Sequence, residues 1–477
     1  MSLAAVLACA AVAGAQSAPE AVNMTLLGGT NLGGASGGEG FAMKIAPQTT
    51  ANSVKGHRYL YAATEANGDP VGCFSVVDVE NPAAPVVKTQ VKVALGGANP
   101  GQTPNGTDEQ RKMIRCNSLD AAGNTLAVGQ EVSQAGAAGA GVLFYDISDP
   151  AMPRLLAYFD SSGGASRGTH HVWFADRGRT LWVSGGAGNP RMPAVPGDPY
   201  AGQVFVPKRP AKDYQFAEVL DTSSPSTPRE ITRFYYPGVS AGDPLPAPDA
   251  LPGADNGVRA HNIDVFPERP TRAYISMIDG GIVIADISDR FRIRPISIVR
   301  YRSPGFTHTT YPVFTRDLLE VSEEALGPPV CADGPKRASV WSIKDERQPV
   351  FLGAAPFLDT ARFCPPTNTA GNTGRYGSHN LWEGKPYSPS WHSDRYMLDT
   401  FFRGGVRVFD IRNAAAIEDV AHFIPAYDPA TNSIGSVQIN DVFVDDRGFV
   451  YIVDRFGDGL SILSSPLINC TTGHCHP

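Results

Sequence analysis

The sequence predicts an all-β chain of seven repeated four-stranded units closed into a ring, on three observations. A string of alternating apolar residues ending in a polar turn recurs along the chain. Gly (50) and Pro (40) are spread through 477 residues, of which only 18% are charged. Histidines stand at one place in four successive repeats. Such a composition belongs to many short strands and tight turns, and repeat folds of this length routinely form one unit. A net charge of -7 and a pI near 5.8 leave no basic field for phosphate backbones, so no nucleic-acid partner is expected.

Residues 1–15 read as a signal peptide, apolar and small, ending in Ala13-Gly14-Ala15. The segment lacks the usual basic opening, so its start reads as truncated or misassigned. Alternatively, Val6-Leu7-Ala8-Cys9 is a weak lipobox that would attach a lipid. The expected location is periplasmic or secreted, with no membrane span in the remainder. In an oxidising compartment, Cys331 with Cys364 and Cys470 with Cys475 are plausible disulfides.

Residues 22–465 carry the repeat, and 466–477 form a tail. The clearest copies are Phe74-Ser-Val-Val-Asp-Val-Glu-Asn-Pro82, Gly141-Val-Leu-Phe-Tyr-Asp-Ile-Ser-Asp-Pro150, Gly281-Ile-Val-Ile-Ala-Asp-Ile-Ser-Asp289 and Gly405-Val-Arg-Val-Phe-Asp-Ile-Arg-Asn413. Weaker copies start at Ala217 and Ala338. Each reads as the third strand of a unit, its Asx turn and the entry to a fourth. Two more strands precede each copy, as in His261-Asn-Ile-Asp-Val-Phe266 and Arg272-Ala-Tyr-Ile-Ser-Met277. Four strands per unit, buried only against neighbouring units, make a β-propeller blade. The seventh unit runs out after Gly459-Leu-Ser-Ile-Leu463. The segment Val22-Asn-Met-Thr-Leu-Leu27 is the expected strand that completes this last blade and closes the ring.

The Gly-aliphatic-x-aliphatic-x-Asp-Ile-Ser-Asp-Pro strings resemble those of the LVIVD-repeat proteins, mostly exported bacterial β-propellers. The resemblance covers nearly the whole mature chain. It implies a propeller and export, and no particular reaction.

Aligning the first strands puts Glu39, Cys116, His170, His261, His308, His379 and Asn440 at one position, around one mouth of the central channel. The longest links, 96–111, 185–214, 238–260, 325–337 and 359–378, are expected on the same face, over a covered pocket. Several neutral imidazoles aimed at one point call for a metal or a shared hydrogen-bond network. The expected ligands are His170, His261, His308 and His379, with Cys116, His171 and Asn440 as additional candidates. Fe or Cu suits the set best, while Zn or Mn would also fit. Glu39 is the candidate general base, and Arg375, Tyr376 and Arg403 are candidates for contacting an anionic or aromatic substrate.

No nucleotide cofactor is expected, because the glycine run 33–38 lacks the Lys and helix of a phosphate loop. A metal-dependent oxidoreductase acting on a small organic molecule is one reading. A non-catalytic propeller that binds an extracellular protein or glycan through its loops is the other. A structural use of the histidines, capping strand ends or bonding the repeat aspartates Asp146, Asp286 and Asp410, competes with the metal.

Overall fold

The computed structural model describes residues 18–65, 72–93, 114–132, 140–163, 166–186, 190, 198, 201–249, 255–301, 305–326, 336–357, 360–364, 374–432 and 434–468. They form a seven-bladed β-propeller of antiparallel sheets. The first blade comprises Ser36–Ile45, Arg58–Glu65, Phe74–Asp78 and Val86–Val91, and the second Ile114–Ala122, Thr125–Val132, Gly141–Asp146 and Arg154–Asp160. Blades three, four and five begin with inner strands Thr169–Ala175, Ile263–Asp264 and Thr307–Val313. The weaker repeat copies build third strands Phe216–Asp221 and Ser339–Ser342 in blades three and five. In blade six the inner segment is held on Tyr396–Thr400 by a Leu381–Asp399 bridge rather than by a full strand.

Closure comes from the N-terminal side. Thr25–Thr30 pairs antiparallel with Leu460–Ser464 and supplies the fourth strand of blade seven, as the unfinished last repeat requires. Just before it, Glu20–Val22 pairs with Glu418–Ile424 and extends blade six. One N-terminal stretch thus covers the edges of two neighbouring blades, leaving fewer unpaired backbone groups at the seam.

Each repeat aspartate ends its third strand and accepts the backbone N–H two residues on: Ser148 for Asp146, Ser288 for Asp286 and Arg412 for Asp410. These are Asx turns, the reason for Asp at that spot. They lie at the opposite end of the blade from the ring histidines. The structural alternative in which those histidines bond the repeat aspartates is therefore not realised.

Cys73 and Cys116 form a disulfide that ties the third strand of blade one to the inner strand of blade two. Cys364 is also disulfide-bonded, while Cys331, Cys470 and Cys475 lie outside the described residues, as do residues 1–17. Among the described residues no helix is long and apolar enough to cross a membrane.

Candidate metal centre

A β-bulge recurs at the ring position. The inner strands shift register between Gly37 and Phe41, Cys116 and Ser118, Thr169 and His171, Thr307 and Thr309, and Ile439 and Asp441. The extra residue interrupts the alternation of side chains and re-aims one of them into the channel. In blade two that residue is Asn117, whose amide reaches His170 Nδ1 at 3.1 Å and Glu39 Oε2 at 3.4 Å. Cys116, one residue earlier, points the other way into its disulfide. Its expected place as a ligand is corrected accordingly: a one-residue offset in a strand reverses the face, and no thiolate remains. Asn440 occupies the bulge of blade seven and donates to the Gly37 carbonyl at 3.0 Å, while its buried Oδ1 has no hydrogen-bond partner.

The four expected histidines do come together. Successive ring centroids are 4.2 Å apart for His170 and His261, 3.8 Å for His261 and His308, and 4.5 Å for His308 and His379. Glu39 reaches into the same space, 3.5 Å from His170 Nε2 and 3.8 Å from the Nε2 atoms of His308 and His379. Glu324 lies 3.8 Å from His379 Nε2. Donor atoms of Glu39, His308 and His379, of Glu39, His170 and His261, and of His261, His308 and Glu324 lie within 4.8 Å of one another.

Polar groups stand behind three of the rings. His170 Nδ1 faces Glu131 Oε1 at 3.2 Å, His261 Nδ1 faces Asn262 Oδ1 at 2.8 Å, and His308 Nδ1 faces Thr309 Oγ1 at 2.8 Å. The Asn262 oxygen accepts, so His261 carries its proton on Nδ1 and turns an Nε2 lone pair inward; His170 lies between the carboxylates of Glu131 and Glu39, and the Thr309 hydroxyl can give or take a proton. His170 Nε2 and His261 Nε2 are 2.8 Å apart, and the buried Nε2 atoms of His308 and His379 have no hydrogen-bond partner. The first pair is a hydrogen bond, whereas the unpartnered Nε2 atoms of His308 and His379 are free to face a cation. The site thus fits a metal bound by nitrogen and oxygen.

The electrostatics divide the rings. Burial, then neighbouring His308, push His379 down to about 3; burial, His308 and His170 push His261 well below the usual histidine value. Both are neutral at ordinary pH, as ligands must be. Against the opposing effect of burial, Glu131 and Glu39 raise His170 to about 9. Burial also opposes ionisation of Glu39, yet the nearby rings of His170, His308 and His379 hold its carboxyl well below the usual range.

His171, the residue after the bulge, joins a different cluster. Its donor atoms lie with those of Asp264 and Glu383, beside Lys385, which is 3.7 Å from Asp120. Burial and the Glu383 charge raise Asp264 well above the ordinary range. His171 is therefore placed one layer further along the channel, apart from the four-histidine group.

Over the ring lies a cavity of about 220 Å³. Three of the long links expected on this face line it: Asn256 and Arg259 from the third-to-fourth-blade link, Leu326 from the next, and Arg375 from the one before blade six. Arg375 thus reaches the cavity, where it is paired with Glu324. Tyr376 does not: it is buried and packs on Phe357, Phe363 and Phe401. Arg403 lies against Phe363 and does not line the cavity. Both expectations of substrate contact at Tyr376 and Arg403 are corrected, because the alternation that turns Arg375 inward turns Tyr376 into the core.

Ile278, Phe306 and Phe402 were not anticipated. Ile278 and Phe306 line the cavity, and Phe402 stacks on His379 at 4.4 Å. All three have left-handed backbone, with φ of 48°, 69° and 48°. Such a conformation is costly for bulky side chains and concentrates at functional sites. Ile278 and Phe402 occupy the same place in two repeated hairpins, Met277-Ile-Asp-Gly-Gly281 and Phe401-Phe-Arg-Gly-Gly405. That repetition was the available signal.

The model of the LVIVD repeat matches residues 53–93 and 273–292, the third-strand regions of blades one and four. The chain carries LVIVD repeats. No curated protein sequence matches it. Among solved structures, this LVIVD-repeat propeller is similar to the Cps50 (Swd1) β-propeller domain of Myceliophteria thermophila at 10% identity. That match covers 85% of this chain and 92% of that one, with a TM-score of 0.47. It is also similar to the computationally designed Ika8 protein at 10% identity, covering 92% and 98%, with a TM-score of 0.42.

Proposed function

We propose that this LVIVD-repeat propeller is an exported metalloprotein that holds a transition metal through His170, His261, His308, His379 and Glu39 and acts oxidatively on a small organic substrate. The observation that carries the reading is the convergence of donor atoms from the four histidines and Glu39 in overlapping groups that each lie within 4.8 Å, with the buried Nε2 atoms of His308 and His379 left without a hydrogen-bond partner. Fe or Cu suits an all-nitrogen-and-oxygen site with four imidazoles. The Cys73–Cys116 disulfide supports an oxidising compartment.

A bound metal of this kind would supply Lewis-acid and redox chemistry. The chain's own residues do the rest. Glu39, held ionised, offsets cationic charge as a ligand; a carboxyl held so low is a weak general base. Glu131 and Asn262 fix ring orientation, and Phe306, Ile278 and Phe402 exclude water from one side. The open face of the site is the cavity above it, where a substrate would enter.

Elemental analysis of the purified full chain tests this. Stoichiometric Fe, Cu, Mn or Zn, lost in a His261→Ala, His379→Ala double variant that keeps its β-sheet circular dichroism, is the expected result. Wild-type protein that is folded yet neither contains nor takes up any of these metals overturns the reading.

A further inference from the structure

The polar lining of the cavity goes beyond what holding a metal requires. Arg115, Arg167, Arg259, Arg375 and Arg455 contribute five guanidinium groups, against three carboxylates from Glu39, Glu131 and Glu324. Two of the carboxylates are engaged: Arg115 lies 2.5 Å from Glu131, and Arg375 pairs with Glu324. The third faces the histidines. The lining therefore retains positive charge around a buried space.

Three residues of the lining each carry a donor without an acceptor. Arg259 Nε, Gln215 Nε2 and Asn256 Nδ2 are buried and make no hydrogen bond. Their neighbours fix how they point. Arg259 Nη1 donates to the Tyr214 hydroxyl and to Gln215 Oε1 at 3.2 Å, so the Gln215 amide nitrogen is the end left unpaired. Arg259 is further held over the Tyr214 ring at 4.8 Å. Gln215 is only 4% exposed. Buried orphan donors are costly, and one alone would be unremarkable. Three in the lining of one cavity call for an acceptor there. Ile278, Phe306 and Leu326 add an apolar wall beside these donors.

The geometry points to a small organic carboxylate as the occupant of this cavity, its oxygens taken by Arg259, Gln215 and Asn256 and its apolar body lying on Phe306, Ile278 and Leu326. A planar carboxylate matches a guanidinium fork and amide donors, and the volume is below the roughly 300–1,000 Å³ usual for larger ligands. The inference rests on the metal-centre reading only in calling this occupant a substrate; the anion site stands on its own donors.

Calorimetric titration of the full chain with benzoate, its neutral isostere benzamide, and inorganic phosphate tests it, in metal-loaded and chelator-treated protein. Benzoate is expected to bind, and benzamide about tenfold or more weaker, as expected when a charge-assisted bond is lost. Gln215→Glu, which replaces a donor by a carboxylate of the same shape, is expected to weaken benzoate by at least about tenfold, and Arg259→Gln likewise, with metal content unchanged. Benzoate binding that persists after chelation upholds the anion site even if the metal reading fails. Failure of all three probes to bind, preference for phosphate, or benzoate affinity unchanged in a folded Gln215→Glu variant overturns the inference.

Discussion

His170, His261 and His308 each have a polar partner behind the ring, and these partners orient the rings. Glu131 is the strongest of them, a buried carboxylate 3.2 Å from His170 Nδ1. Glu131→Gln is expected to leave the fold intact and lower metal affinity about 10–100-fold, as loss of an orienting partner does elsewhere; competition with a fluorescent chelator measures it. A second residue carries a pH signature. Burial raises Asp454 from 3.8 to about 7. Its raised folded value means that its stabilising contribution is complete below 3.8 and is lost as pH climbs through 7. Thermal melts from pH 4 to 8 should therefore show wild type losing ground to Asp454→Asn as pH rises. The sequence disclosed the four histidines because they stand in register. It concealed Asn117, since a bulge shifts the inward residue by one without altering the apolar pattern. It also assigned Tyr376 to the site, where only the fold decides that it faces the core.

At the scale of the element, the inner-strand bulges and the Gly-Gly hairpins place the site. Gly405 has φ of 75°, and a Cβ there would lie 2.0 Å from the Phe423 carbonyl oxygen. Gly405→Ala is expected to destabilise the protein by more than about 1–2 kcal/mol, the left-handed cost alone, read as a lower denaturation midpoint. The same hairpin carries Phe402 onto His379, so metal affinity should fall with it. The third strands and their Asx turns were legible because their chemistry is local. The left-handed Ile278 and Phe402 were not, because bridges to the next blade, Ile278 with Thr307 and Phe402 with Ile439, hold them there. Such long-range ties leave no mark within the hairpin beyond its repetition in two blades.

For the whole molecule, ring closure is the organising event. Blades are stable only against neighbours, and Thr25–Thr30 seals blade seven. Removing residues 18–30 should expose the edge of Leu460–Ser464 and replace a single cooperative melt by an earlier, aggregating one, seen by light scattering during heating. This closure was readable from an unfinished last repeat; the additional pairing of Glu20–Val22 with blade six was not, since three residues carry no periodicity. The most direct test of the account is X-ray absorption spectroscopy of the full chain as purified. The predicted result is a metal with several imidazole nitrogens at about 2.0–2.2 Å and no sulfur. A folded protein without metal, or a metal bound by sulfur or by oxygens alone, would contradict it.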